Sequence, residues 1–229
     1  MKKILITGGG TGIGAATALR LARGGAAVSI CGRKAATLDE TARASAECAR
    51  PIAPLVLDVS DETAVVDLFR AHEFDGVVCA AGTILLQNAF DMSTEQFESV
   101  LDTNLMGTYF VCREAMRQMR ARGVPGDIVT ISSLAGIRGM QVRFPGSFAY
   151  VTSKHAVAGL SEALAVDGRP YGIRVNCISP GRVDTAIARQ FGGIPEIKPE
   201  QIAALIETLL DRTRSGAVSV SNIEVYSHD

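Results

Sequence analysis

No stretch of this chain approaches the roughly 20 apolar residues that a membrane helix needs, and neither sign of charge dominates, with 23 Lys and Arg against 24 Asp and Glu. That balance and a pI near 6.3 leave no electrostatic footprint for nucleic acid or for an anionic membrane. A small-molecule partner is expected instead. Patterned cysteine is also missing: Cys31, Cys48, Cys79, Cys112 and Cys177 are odd in number, far apart and mostly inside apolar runs, and no Cys-x-x-Cys occurs. They read as reduced core thiols of a cytoplasmic protein, and no metal-ligand set is assigned. After Lys2-Lys3 the apolar run is only Ile4-Leu5-Ile6, too short for a signal-peptide core. No linker, repeat or low-complexity tract divides the 229 residues, so a single domain over 1–229 is expected, long enough to bury a sizeable core.

What is present alternates. Short apolar runs at Lys3 to Thr7, Ala27 to Cys31, Ile52 to Leu57, Gly76 to Ala80, Asp127 to Ser132, Ile173 to Ser179 and Ala217 to Val225 read as strands. Helical stretches lie between them, at Gly12 to Arg23, Ala36 to Cys48, Asp61 to Ala71, Ser93 to Arg122, the run from Phe148 to Ala165 and Pro199 to Asp211. Strands alternating with helices imply a parallel sheet with crossovers, which places a ligand at the carboxyl ends of the strands.

Candidate residues cluster at those ends. Thr7-Gly8-Gly9-Gly10-Thr11-Gly12-Ile13-Gly14 joins the first strand to the first helix, where backbone N–H groups and a helix N-terminus can meet a phosphate with no Cβ in the way. Its glycines are spaced G-x-x-x-G-x-G at Gly8, Gly12 and Gly14, unlike the commoner G-x-G-x-x-G. The second strand ends in Gly32-Arg33-Lys34, where a dinucleotide fold reads the adenosine ribose. No acidic residue stands there to bond a free 2′-hydroxyl. Arg33 and Lys34 suit a 2′-phosphate, which favours NADP(H) over NAD(H); the alternative is a solvated loop. Asp58-Val59 closes the third strand, with Asp58 bonding an adenine amino group, capping the next helix, or both. Ala81-Gly82 gives close backbone approach after the fourth strand. Asn104 interrupts an apolar helical pattern and has either a structural partner or a site role.

Tyr150 and Lys154 are four residues apart on an expected helix, so phenol and ammonium share a face as a proton donor beside a cation able to acidify it. Chance supplies such a pair often enough that the spacing alone is weak. In order along the chain, Thr7-Gly8, Gly12-Ile13-Gly14, Asp58, Ala81-Gly82, Asn104, Ser133, Tyr150, Lys154 and Pro180-Gly181 with Thr185 make it resemble a short-chain dehydrogenase/reductase of the compact single-domain kind over residues 1 to about 190. The resemblance implies an α/β Rossmann-type doubly wound sheet, mostly parallel, of seven strands in the order 3-2-1-4-5-6-7 with helices on both faces. It also implies catalytic roles for Asn104, Ser133, Tyr150 and Lys154, with Ser132 as a minor alternative to Ser133. Implied cofactor contacts fall on Gly8, Thr11, Gly12, Ile13, Gly14, Asp58, Val59, Ala81, Gly82, Tyr150, Lys154, Pro180, Gly181, Val183 and Thr185, beside Arg33 and Lys34. A homodimer or homotetramer, paired through the Ser93 to Arg122 and Tyr150 helices, is a further implication.

Such a site interconverts a ketone and a secondary alcohol. Ser133 would hydrogen-bond the oxygen and Tyr150 exchange its proton. Free tyrosine titrates near pH 10, so work near neutrality asks for a shift of about three units, while a neighbouring ammonium gives about one to three; Lys154 alone is expected to fall short. The resemblance implies in addition that Lys154 bonds the nicotinamide ribose, that Asn104 holds a relay water, and that Thr185 and the backbone near Val183 orient the carboxamide.

Three features depart from the family. Cys79-Ala80-Ala81-Gly82 replaces Asn-Asn-Ala-Gly, the Ser133 to Tyr150 gap is longer, and no Asp-Gly-Gly closes the tail. The extra loop carries Arg138, Met140, Arg143 and Phe144, which either line the substrate entrance, drawing an anionic substrate, or form a solvated loop. A catalytically silent NAD(P)-binding regulator or partner subunit is the competing function, disfavoured by the intact Asn104, Ser133, Tyr150 and Lys154. A nucleotide-sugar epimerase or dehydratase needs a larger C-terminal substrate domain than the residues after Thr185 can build.

Overall fold

The computed structural model describes residues 2–137, 145–190, 197–215 and 222–226. Its strands are β1 (Lys3–Thr7), β2 (Ala27–Gly32), β3 (Ala53–Val56), β4 (Gly76–Cys79), β5 (Gly126–Ile131), β6 (Ile173–Pro180) and β7 (Ile223–Val225). They form one sheet in the order β3-β2-β1-β4-β5-β6-β7, as the resemblance implied, and every pair is parallel. β1, β4, β5 and β6 are almost wholly buried, because crossover helices cover both faces, which is why they read as continuous apolar runs.

The larger helices are α1 (Gly12–Arg23), α2 (Ala35–Arg43), α3 (Glu62–Ala71), α4 (Thr94–Leu101), α5 (Gly107–Arg122), α6 (Phe148–Gly168) and α8 (Pro199–Leu210). One core packs α1 and α8 against Ile4, Ile6, Ile30, Val78 and Val129. The opposite face packs α3 and α5 against Leu5, Val77, Ile128 and Val175. Four of the five cysteines are buried and all are free thiols; Cys79 and Cys112 approach to 3.7 Å without bonding.

Three segments differ from the sequence expectation. The second helix ends at Arg43 rather than Cys48. Buried Ser45 donates to the Ala42 carbonyl and accepts from the Ile52 amide at 2.8 Å, so its side chain draws the chain out of the helix toward β3. The long Ser93 to Arg122 run starts with a capping box between Ser93 and Gln96, but a π-helical turn, Asp102–Met106, separates α4 from α5. There the Gly107 amide reaches back to the Asp102 carbonyl, and a Cβ on Gly107 would lie 2.6 Å from Val59 Cγ2. Glycine thus lets the helix close on the loop after β3. Finally, two short helices, α7 (Ala186–Arg189) and α9 (Arg212–Ser215), flank α8, and β7 begins at Ile223, while residues 217–221 of the expected last strand lie outside the described residues. The Arg138, Met140, Arg143 and Phe144 loop and Gly192-Gly193 with Pro195 lie outside the described residues.

Candidate active site

At the carboxyl edge of the sheet a cavity of about 430 Å³ runs from the glycine turn after β1 to the first turns of α6. Its phosphate end is shaped by absences of side chain. Gly8 (φ +66°) would drive a Cβ to 2.7 Å from the Ala80 carbonyl oxygen, and Gly12 (φ +53°) would place one 2.9 Å from Thr185 Cγ2. Gly14 lies beneath, where a Cβ would meet the Gly8 oxygen at 2.3 Å, so it closes the turn rather than lining the cavity. Thr11 precedes α1 without capping it, and no acidic residue occupies the first helical turn. Unspent N–H groups at the end of a 12-residue helix therefore face the cavity beside Ile13. That geometry fits a pyrophosphate.

At the opposite end Ser133, Tyr150 and Lys154 share the cavity wall. The Ser133 side chain hydrogen-bonds the Tyr150 phenol and accepts the Ala135 amide at 3.2 Å. Ser132 also lines the cavity, but its hydroxyl donates 2.7 Å to the Lys154 carbonyl and so has no proton left for a substrate oxygen. A Cβ on Gly136 would sit 2.6 Å from that same carbonyl, so the chain after β5 packs directly on the helix backbone. Lys154 is 6% exposed, and its Nζ donates 2.8 Å to the Ile131 carbonyl and stands 5.7 Å from the centre of the Tyr150 ring.

These contacts alter the expected electrostatics. Burial raises the Tyr150 phenol above its ordinary value, and the Ser133 hydrogen bond opposes this without cancelling it. Burial also pulls Lys154 down from 10.5 to about 8. Lys154 Nζ faces the ring rather than the hydroxyl and gives one of its three protons to a β5 carbonyl, so among the described contacts it does not offset the rise that burial causes. The Tyr150 phenol in the protein alone is thus held neutral.

Asn104 sits behind the cavity, 1% exposed, on the π-helical turn. It accepts the Thr83 amide at 2.7 Å and donates to the Thr83 carbonyl at 3.0 Å and to Ser153 Oγ at 2.9 Å. Both amide protons are used, so its side chain has none left to donate to a relay water. Ala81 is held by its amide on Thr7 Oγ1 at 3.1 Å, and Gly82 reaches the cavity.

Pro180, Gly181 and Val183 form a third wall. The Gly181 amide bonds the Val225 carbonyl at 2.9 Å, and the Ile197 amide bonds the Arg182 carbonyl at 3.0 Å. Thr185 Oγ1 caps α7 by accepting the Ala188 amide, which leaves its proton to donate. Arg33, Lys34, Asp58 and Val59 are not in the cavity wall. Arg33 is exposed and loosely paired with Asp58 at 3.9 Å, while Asp58 accepts the Ser60 amide and hydroxyl. Val59 is 5% exposed beneath Gly107. Sequence reasoning missed the Ile131 carbonyl, Ser153, Arg182 and Tyr226. Ser153 lies in the polar run Thr152-Ser153-Lys154-His155, which gives no local sign that this hydroxyl turns inward. Tyr226 had no local signal, because only the pairing of β7 with β6 brings it to the cavity.

Comparison with known proteins agrees. The profile of the short chain dehydrogenase family matches residues 2–193. The chain is 35% identical over 209 residues to a 3beta-hydroxysteroid dehydrogenase of Mediterraneibacter gnavus, covering 89% of this chain and 74% of that one. It is 35% identical over 224 residues to a 3-oxoacyl-[acyl-carrier-protein] reductase of Aggregatibacter actinomycetemcomitans, covering 90% of both. Among solved structures, a short-chain type dehydrogenase/reductase from Mycobacterium marinum superposes with a TM-score of 0.88 at 31% identity, over 98% of this chain and 93% of the other. Sheet order, motif order and relatives converge, and the chain belongs to the short-chain dehydrogenase/reductase family of enzymes.

Proposed function

We propose that this protein is an NADP(H)-dependent oxidoreductase that interconverts a ketone and a secondary alcohol, with Tyr150 as the acid and base, working as one domain. The observation that carries this reading is the single cavity that joins an uncapped helix N-terminus and a glycine turn to the hydrogen-bonded Ser133 and Tyr150 hydroxyls. The cofactor supplies or accepts the hydride when bound. Gly8, Thr11, Gly12 and Ile13 would hold its pyrophosphate, Pro180, Gly181, Val183 and Thr185 its carboxamide end, and Lys154 its ribose. In reduction Ser133 donates a hydrogen bond to the carbonyl oxygen and Tyr150 gives that oxygen its proton, as charge develops there. Burial that keeps the phenol protonated favours this direction.

Arg33 supports the preference for NADP(H), as an exposed guanidinium paired only loosely with Asp58. Val166 and Phe90, 63% and 98% exposed, suit the pairing of copies as a homodimer or homotetramer. Unbonded thiols suit a cytoplasmic setting. The substrate is a small carbonyl compound or alcohol whose body is mainly apolar, in keeping with Leu134, Ile187 and Ala188 in the wall.

The test is a panel of ketones and secondary alcohols followed by absorbance of the reduced nicotinamide, with both cofactors. Turnover with NADPH at least about tenfold more efficient than with NADH is expected, the scale of a charged hydrogen bond. Arg33→Asp should reverse that ratio. Equal use of both cofactors by the parent would remove the role given to Arg33, and no turnover with any pair would remove the enzymatic reading of the site.

A further inference from the structure

A chain of hydrogen bonds runs from the loop after β4 to the backbone of Tyr150, and the direction of each is set by chemistry. Asn104 Nδ2 can only donate, so Ser153 Oγ accepts from it at 2.9 Å. The one proton of Ser153 then goes to the Tyr150 carbonyl, 2.7 Å away. At the other end Asn104 grips Thr83 through both its amide and its carbonyl. Ser153 and Asn104 are 0% and 1% exposed, so neither hydrogen bond has water as a substitute. Three elements that the chain brings from far apart meet here. A Cβ on Gly82 would lie 3.5 Å from Asn104 Oδ1 and 3.8 Å from Lys154 Nζ.

Serine is a costly choice at this point of α6. Alanine is the better helix former, and a buried hydroxyl gives up its hydration. Lys154 is tied to β5 independently, through the Ser132 hydroxyl and the Ile131 carbonyl. Tyr150 depends on a different route.

We propose that Ser153 is a positioning residue whose hydroxyl couples the Gly82-Thr83 loop, through Asn104, to the backbone from which the Tyr150 phenol projects. This rests on the reading of Tyr150 as the acid and base. A displacement of that loop when a cofactor enters would be passed to Tyr150 along bonds between buried groups, and loss of the hydroxyl would leave the phenol less well held against Ser133.

Ser153→Ala tests it with two readouts. One is steady-state turnover of the parent's best ketone; the other is ionisation of Tyr150, followed as the ultraviolet difference between each protein and its Tyr150→Phe counterpart. Among the described contacts, the groups facing that phenol are Ser133 from the end of β5 and Lys154 from its own helix. We expect kcat to fall about tenfold, the scale of a sub-ångström misplacement, with KM and the NADPH dissociation constant within about twofold. Tyr150 should titrate at higher pH, because the Ser133 bond that lowers it is loosened. Parent-like kcat and parent-like titration would overturn the proposal. So would a fall in thermal stability with kcat per folded molecule and titration unmoved, which is what a purely structural serine gives. If the parent turned over nothing, the oxidoreductase reading would fail, while the titration would still decide the role of Ser153. Should the alanine variant not fold, Ser153→Cys keeps the volume, weakens both hydrogen bonds and is read the same way.

Discussion

The two edges of one sheet carry opposite designs. At the amino edge Asp127 is 1% exposed and gathers three cations: Arg174 Nε at 2.7 Å, Lys2 Nζ at 2.8 Å and Arg212 Nη2 at 3.0 Å. The cations also serve backbone carbonyls. Arg174 reaches Leu209, Lys2 reaches Leu210, and Arg212 reaches Gly126 and Gly172. The last carbonyls of α8 are thereby capped by positive charge, as the helix dipole favours. At the carboxyl edge the buried cation, Lys154, has a carbonyl for a partner and no carboxylate among its described contacts. The first arrangement compensates every buried charge and holds the chain together. The second leaves its charge under-compensated, as a site does that must accept an anionic ligand or a developing oxyanion.

Substitutions at the two edges should therefore separate activity from stability. The largest effect is expected for Tyr150→Phe, with kcat/KM reduced by at least about a thousandfold, NADPH binding nearly intact and melting temperature little changed. Retained turnover would show that the phenol is not the proton donor.

Next comes Asp127→Ala, which strips the counterion from a buried arginine and should cost about 3–5 kcal/mol of stability in denaturant unfolding. Activity per folded molecule should stay within about twofold, the site being at the other end of the strands. Burial alone would raise the Asp127 carboxyl, but bonds from Arg212, Arg174 and Lys2 outweigh it and hold it below the ordinary value. The stabilisation it contributes is complete above the unfolded carboxylate value, about 3.9, and is lost as pH falls through the lower folded value. The gap between parent and variant should accordingly close in acid.

Lys154→Met sharpens the contrast from the other side. A lysine that burial lowers from 10.5 to about 8 in the folded state burdens folding by about 3 kcal/mol near neutrality. Methionine removes that burden but orphans the Ile131 carbonyl, so a net gain of about 1–2 kcal/mol is expected, together with loss of turnover. The gain should shrink as pH rises from about 8 toward 10.5, because the folded lysine is already neutral over that range and releasing its proton on folding costs less at each higher pH. A variant that is both destabilised and inactive would show that Lys154 is structurally compensated after all.

Much of the carboxyl edge was legible because its signals are local. The Gly8, Gly12 and Gly14 spacing states where backbone turns without a Cβ, and Tyr150 with Lys154 states a shared helical face. The order of these motifs carried the sheet order through the family resemblance. The amino edge was not legible. Asp127 meets Arg174, Arg212 and Lys2 across 47, 85 and 125 residues of chain, and nothing near any of them marks the meeting. The same holds for Ser153, whose partner Asn104 is 49 residues away. The π-helical turn that presents Asn104 depends on Gly107 packing against Val59, a contact between separate elements.

By itself, then, the sequence determined which backbone could pass close to a phosphate and which side chains shared a helical face, since both follow from steric and periodic rules acting over a few residues. Only the tertiary structure decided that Lys154 is buried with its ammonium on the Ile131 carbonyl and against the Tyr150 ring, and that Asn104 is spent on Thr83 and Ser153. Desolvation and hydrogen-bond partnership are set by what the rest of the chain packs around a group, and spacing along the chain does not carry that information.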